Sequence, residues 1–156
     1  MPPIDDQTPR ADRPRGTSSP EVSPAPIEAV IVGGNDETRL LLRGLLRLHR
    51  HRVLSESPTA AGLEASDGWV QGRVLILVVD TDGDLWPREL AAARDRQPGL
   101  RALLLVPTTS PGLESRARAA GALGLLQRPF AIRDLIAAVG AVACGTERFP
   151  EPAPQR

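Results

Sequence analysis

The sequence contains no lysine and no tyrosine, and Cys144 is its only cysteine. A single cysteine excludes an internal disulfide and a CxxC metal site. The 19 basic residues are all arginine and are balanced by 19 acidic residues, so the net charge indicates neither a nucleic-acid nor a membrane partner. No apolar run approaches about eighteen residues, and no signal-peptide pattern is present, so we expect a cytoplasmic protein.

Proline is concentrated at the two ends of the chain. Residues 1–26 hold seven prolines and few apolar side chains. Such a composition buries too little surface to offset the entropy lost on ordering, which predicts a disordered Pro-rich arm. Residues 147–156 are a similar Pro-rich tail. The sequence therefore predicts a single domain over residues 27–146.

Within this domain, short apolar runs alternate with amphipathic segments. The runs predict strands, and the segments with apolar residues three to four apart predict helices. Alternation of this kind is typical of an α/β fold with a parallel sheet and helices on both faces. The predicted strands are residues 28–32, 52–55, 74–79, 101–106 and 123–126, and the predicted helices are 37–49, 58–65, 90–96, 112–120 and 132–142.

In such a fold, ligands bind where the parallel strands end. The third predicted strand runs directly into carboxylates in the stretch LILVVDTDGDL, residues 75–85, so Asp80 stands at the strand end. The residues that follow the other strands are Gly33-Gly34, Pro107-Thr108 and Gln127-Arg128. These positions are the candidates for a functional site.

Two segments resemble the receiver domains of bacterial two-component response regulators. They are VVD at residues 78–80 and AAGALGLLQRPF at residues 119–130. The resemblance implies a flavodoxin-like, doubly wound sheet of five parallel strands in the order 2-1-3-4-5. It also implies that Asp80 is the candidate phosphoryl acceptor and that Thr108 and Arg128 are the candidate phosphate-binding and switch residues.

The sequence departs from the receiver pattern at the groups that support the acceptor. Gly33 and Gly34 stand where the family has an acid pair for Mg²⁺, and Pro107 stands at the switch position, one residue before Thr108. Arg128 replaces the family's lysine; it keeps the charge but has a bulkier, planar head. The resemblance therefore implies a degenerate, pseudo-receiver site.

Two nearby acids could supply oxygen ligands to a metal together with Asp80. Asp36 lies two residues beyond the glycine pair, and Asp82 lies two residues beyond Asp80. The simpler interpretation is that Asp36 caps the first helix and that Asp82 belongs to a solvated turn. We therefore expect weak or absent Mg²⁺ binding and no other cofactor.

The same stretch also resembles the first motif of haloacid-dehalogenase-type phosphatases, through Asp80-Thr-Asp82-Gly83. That family needs a lysine and a later acid pair, and this sequence has no lysine and no adjacent acids after Asp84. A short motif without its context is weak support for an activity. The phosphatase remains the remote alternative, and a receiver that accepts a phosphoryl group on Asp80 is the closer one.

Arg39, Arg43 and Arg47 recur every four residues along the first predicted helix. This spacing predicts an arginine stripe, which is most simply a solvated helix face, with His49 and His51 on the adjoining surface. The resemblance to receiver domains implies the alternative that the stripe docks a partner. The expected function is that of a stand-alone receiver-like signalling module rather than an enzyme. Its expected partners are a histidine kinase, a phosphotransfer protein, a separate effector or a second copy in a homodimer.

Overall fold

The computed structural model describes residues 26–63, 73–80, 85–108 and 112–149. Strands and helices alternate along these residues. They are β1 (Glu28–Gly33), α1 (Asp36–Leu48), β2 (Arg52–Ser57), a 3-10 helix (Ala60–Gly62), β3 (Val74–Val78), α2 (Trp86–Arg96), β4 (Arg101–Val106), α3 (Leu113–Ala119), β5 (Gly124–Gln127) and α4 (Ile132–Ala143).

The five strands form one parallel sheet in the order β2-β1-β3-β4-β5, which confirms the predicted fold and strand order. β3 lies at the centre, and all five of its residues are buried. Its continuous apolar sequence follows from this position, because a central parallel strand is covered on both faces. The carboxyl ends of β1, β3 and β4 therefore meet at one edge of the sheet.

Each face of the sheet carries its own apolar core. One core combines Leu75 and Leu77 of β3 with residues of α2 and α3, such as Leu90. The other combines Ile76 of β3 with residues of α1 and α4, such as Leu46. Alternate residues of a strand point to opposite faces, so a single run such as Val74–Val78 supplies both cores.

Helix α1 begins one residue earlier than predicted. The Asn35 side chain accepts a hydrogen bond from the Thr38 backbone N–H at 2.7 Å, so Asn35 is the N-cap. Asp36, which the sequence predicted as a cap, is instead the first helical residue. It lies where a negative charge interacts favourably with the helix dipole.

The region after β2 differs from its prediction. β2 continues to Ser57, and the expected helix over residues 58–65 is reduced to the 3-10 turn Ala60–Gly62 within the described residues. The Glu89 side chain of α2 accepts a hydrogen bond from the Ala60 backbone N–H at 2.6 Å and so fixes this turn against α2. No helix in the described part of the chain is long and apolar enough to span a membrane.

The chain remains attached to the sheet after α4. The Leu125 N–H donates to the Arg148 carbonyl at 3.0 Å, and the Arg148 N–H donates to the Leu123 carbonyl at 2.8 Å. Phe149 packs against the core, with the Arg118 guanidinium 4.2 Å from its ring centroid. These contacts reach three residues beyond the predicted domain end at residue 146. The predicted arm up to residue 25 and the tail beyond Phe149 lie outside the described residues.

His51, predicted to lie on the surface, is buried. Its Nδ1 accepts a hydrogen bond from the Ile27 backbone N–H at 3.2 Å, which ties the start of the sheet to the turn after α1. Burial, together with the nearby charge of His49, lowers the pKa of His51 from its usual 6.5. The neutral imidazole is therefore the form that the fold holds.

Candidate functional site

Asp80 lies two residues beyond β3, at the edge where the parallel strands end. Its side chain is 60% exposed, while the preceding Val79 is buried. The Val79 N–H donates to the Leu105 carbonyl at 2.8 Å, so the backbone is held in place up to the residue before Asp80. The sheet thus presents one carboxylate to solvent from a rigid support.

An open cleft of about 410 Å³ lies beside Asp80. Residues after β1 and β2 form one side of it, and the start of α2 forms the other. Trp86, the first residue of α2, is buried in this wall, and its indole Nε1 has no hydrogen-bond partner among the residues that the structure describes. The predicted helix began only at residue 90, so the position of Trp86 in the first turn of α2 was not anticipated.

Arg128 is the cation nearest to Asp80 among the described residues. Its backbone N–H donates to the Val106 carbonyl at 2.8 Å, and its Nη2 donates to the Val79 carbonyl at 2.6 Å. The same Nη2 lies 3.8 Å from Asp80 Oδ1, which is an ion-pair contact too long to be a hydrogen bond. The guanidinium is thus held by the backbone and lowers the negative potential at Asp80.

Gly33 and Gly34 end β1 with backbone angles that L-residues rarely adopt, at φ +93° and +72°. A Cβ on Gly33 would lie 2.3 Å from the carbonyl oxygen of Val78 on the neighbouring strand. A Cβ on Gly34 would lie 3.1 Å from the Val78 side chain. The glycines therefore supply no side-chain oxygen, and they fix a backbone that has no room for a side chain at position 33.

Arg39 occupies the space behind these glycines. It is 6% exposed, and its Nη1 donates to the carbonyls of Gly33, at 3.0 Å, and Gly34, at 2.5 Å. Its Nη2 pairs with the Asp36 carboxylate. These bonds satisfy backbone acceptors that the end of the strand would otherwise leave open. A positive charge therefore lies against the carbonyls at the end of β1.

Of the predicted metal ligands within the described residues, Asp36 does not lie beside Asp80. Asp36 is 98% exposed, is paired with Arg39 and does not line the cleft beside Asp80. Asp82 lies outside the described residues. Within the described residues no three His, Cys, Asp or Glu side chains form a group that could hold an ion. Mg²⁺ requires a tight octahedral shell of oxygens, and the groups described here do not fit it.

Thr108, the candidate switch residue, lies two residues beyond β4 and is exposed. It does not line the cleft beside Asp80. Of the predicted site residues, the structure thus brings Asp80 and Arg128 into contact. The other predicted ligands and the switch residue lie apart from them or outside the described residues.

The predicted arginine stripe on α1 needs one correction. Arg39 is buried, Arg43 is partly buried and bonded to Glu56 at 2.6 Å, and Arg47 is exposed. The physical reason is the helical period of about 3.6 residues, which turns each fourth residue about 40° further round the helix. Arg39 therefore faces the sheet, whereas Arg47 two steps later faces solvent. Arg39 cannot dock a partner from this position.

No family model and no curated protein matches the sequence. Solved structures do match its fold. The isolated REC domain of RcsB from Salmonella enterica serovar Typhimurium, in the presence of the phosphomimetic BeF3⁻, is 19% identical with a TM-score of 0.61. That match covers 81% of this chain and 94% of that chain.

Two further structures show the same likeness. A CheY-like response regulator receiver domain protein from Methanospirillum hungatei is 17% identical over 78% of this chain and 96% of that chain, with a TM-score of 0.59. A pilus assembly-related protein from Burkholderia pseudomallei is 21% identical over 77% of this chain and 91% of that chain, with a TM-score of 0.61. Together with the strand order, these matches show that the chain has the fold of response-regulator receiver domains.

Proposed function

We propose that the chain is a receiver-like signalling module that acts through protein–protein contacts, with weak or absent phosphoryl transfer to Asp80. The observation that carries this proposal is the backbone at Gly33. An acid at this position would need a Cβ where the Val78 carbonyl already lies. The usual way to restore a metal ligand at the end of β1, a single substitution, is therefore opposed by the fold.

Phosphoryl transfer to a carboxylate needs a nucleophile and positive charge on the equatorial phosphoryl oxygens. Asp80 supplies the nucleophile, and Arg128 supplies one cation at 3.8 Å. The Arg39 guanidinium is committed to the carbonyls of Gly33 and Gly34 and to Asp36. Among the described residues Arg128 is the cation that contacts Asp80, Arg88 lines the cleft beside it, and no group of side chains fits a metal shell. Charge stabilisation at the acceptor is therefore limited, which supports a role without efficient phosphorylation.

The proposed partners are proteins of the signalling type: a histidine kinase, a phosphotransfer protein or a separate effector. We propose no enzymatic activity and a cytoplasmic location. Of the predicted docking residues, Arg47 faces solvent and Arg43 is partly accessible beside Glu56. These two residues remain in the proposed docking surface, whereas the buried Arg39 does not.

The decisive experiment is phosphorylation by a small-molecule donor. The protein is incubated with acetyl phosphate or phosphoramidate and Mg²⁺ and is examined by intact mass spectrometry. A receiver that labels under these conditions is run in parallel, and Asp80→Asn is the matched control. We expect little or no phosphoryl adduct on the wild-type chain. A clear adduct that Asp80→Asn abolishes would overturn the proposal and establish the competent acceptor instead.

The remote phosphatase alternative is tested with the same proteins. Release of inorganic phosphate from a phosphate ester is measured for the wild-type chain and for Asp80→Asn. We expect no difference between them, since no lysine exists in the sequence and the described residues lack an acid cluster. Turnover that depends on Asp80 would contradict the assignment as a non-enzyme.

A further inference from the structure

Helix α1 presents an apolar face to solvent. Leu40, Leu41 and Leu48 are 57%, 61% and 78% exposed. Gly44 lies between them, and a Cβ there would meet nothing within 4 Å. At 3.6 residues per turn these four positions fall within about a third of the helix circumference, opposite the buried Leu42 and Leu46. Three large exposed leucines on one helix face indicate a contact surface.

The two ends of this face carry opposite charges. Asp36 and Glu37 lie in the first turn, and Arg47 lies in the last turn, followed by the exposed Arg50. Glu37, Arg47 and Arg50 form no ion pair within the described part of the chain. Such a face is complementary to a copy of itself in the antiparallel direction. The two helix dipoles are also antiparallel in that arrangement, which is electrostatically favourable.

We propose that α1 is the interface of a homodimer in which two copies of the helix cross antiparallel at Gly44. A two-fold axis at Gly44 places Leu40 of one copy opposite Leu48 of the other. On one flank of the helix pair Leu41 then lies beside Leu48 of the other copy, and on the other flank Leu40 lies against the aliphatic stem of Arg47, with Glu37 at the height of Arg50. The absence of a side chain at Gly44 lets the two helices approach closely where they cross.

The sheet edge at β5 is less available to a second copy than the α1 face is. The chain's own residues Glu147–Phe149 already cover β5, through the hydrogen bonds of Arg148 to Leu123 and Leu125. A single helix pair is a small interface, below about 1,200 Å² in total, so the dimer is weak and dissociates on dilution. The inference does not rest on the proposed loss of phosphoryl transfer, because the α1 face lies apart from Asp80.

Sedimentation velocity of the full chain over a wide range of concentrations tests the proposal. A reductant is present throughout, because Cys144 is exposed and could form a disulfide between chains. We expect the wild-type chain to dimerise reversibly. Leu48→Glu should weaken the dimer at least about tenfold, since it places a charge on the apolar face of α1. The matched control is Ile132→Glu, an exposed apolar residue of α4 that lies outside this interface.

A charge exchange tests the antiparallel register. Glu37→Arg and Arg50→Glu each place like charges together in the dimer, so each should weaken it. The double variant restores opposite charges and should recover most of the affinity. A wild-type chain that stays monomeric at every concentration would overturn the proposal, as would a dimer lost in Ile132→Glu but kept in Leu48→Glu. Circular dichroism confirms that each variant is folded.

Discussion

Gly33→Ala is the substitution that most directly tests whether the end of β1 can carry a side chain. Gly33 has a φ of +93°, and the new Cβ would lie 2.3 Å from the Val78 carbonyl oxygen. That atom belongs to the backbone of β3, which pairs with β1 at this point. It cannot turn aside as a flexible side chain would, so the strands themselves must move.

Two terms set the size of the effect. A left-handed backbone costs a residue with a Cβ about 1–2 kcal/mol relative to glycine. Loosening the pairing of Gly33 with Val78 costs on the order of one backbone hydrogen bond, about 1 kcal/mol. The free energy of unfolding should therefore fall by about 2–3 kcal/mol, which corresponds to a decrease in Tm of roughly 6–15 °C for a domain of this size.

Gly44→Ala is the matched control, because it adds the same methyl group at a glycine in open space. Alanine is favoured over glycine in a helix interior, so this variant should gain about 0.5–1 kcal/mol. Urea unfolding is followed by circular dichroism and by tryptophan fluorescence, which reports on the buried Trp86. Protein concentrations are kept low, so that association through α1 does not contribute.

The reasoning is refuted if Gly33→Ala unfolds at the same urea concentration as the wild-type chain with an unchanged m-value. That result would mean that the end of β1 relaxes without cost and that an acid could be accommodated there. Gly33→Asp should in contrast be destabilised as much as Gly33→Ala. It should also gain no measurable Mg²⁺ binding, because the Arg39 charge stays at the adjacent carbonyls.

Three further predictions concern stability. Arg39→Met should lower the unfolding free energy by about 1–3 kcal/mol because it leaves buried carbonyls without a donor, whereas the exposed Arg47→Met should change it by less than about 0.5 kcal/mol in urea unfolding. Phe149→Ala should lower the unfolding free energy by about 1–2 kcal/mol, which is less than the roughly 3–5 kcal/mol for a fully buried Phe. An unchanged urea midpoint would show that the chain end does not pack against the core. The lowered pKa of His51 makes stability full above pH 6.5 and progressively lost below it, and His51→Gln should flatten this slope in thermal unfolding between pH 5 and 8.

The fold could be predicted from the sequence because its signals are long and redundant. Val74–Val78 and Arg101–Val106 are continuous apolar strands, and both are buried almost throughout. Each such run carries several residues that indicate the same structure, so an error at one residue does not change the outcome. Strand order followed from the family resemblance and not from periodicity, which has no information on which strands are neighbours.

The site was harder to predict, because each of its features depends on one residue. The arginine spacing on α1 indicated that the three side chains lie near one another along the helix. Each four-residue step nevertheless rotates the side chain by about 40°, so Arg39 faces the interior while Arg47 faces solvent. The cap at Asn35 was detectable, since Asn is among the strongest N-cap residues. No sequence rule places Arg39 on the carbonyls of Gly33 and Gly34, since that contact requires knowing where β1 ends relative to α1.

Gly33 and Arg39 depend on each other, and their arrangement is largely separate from the apolar cores that stabilise the fold. The two apolar cores lie between the sheet and the helices, and Asp80, Arg128 and Gly33 belong to neither of them. Gly33 and Arg39 each provide what the other requires. The arginine satisfies carbonyls that end the strand, and the glycine allows the backbone that presents them. Replacing Gly33 alone gives a clash, and replacing Arg39 alone leaves buried carbonyls without a donor, so an acidic side chain at position 33 requires coordinated changes at both positions.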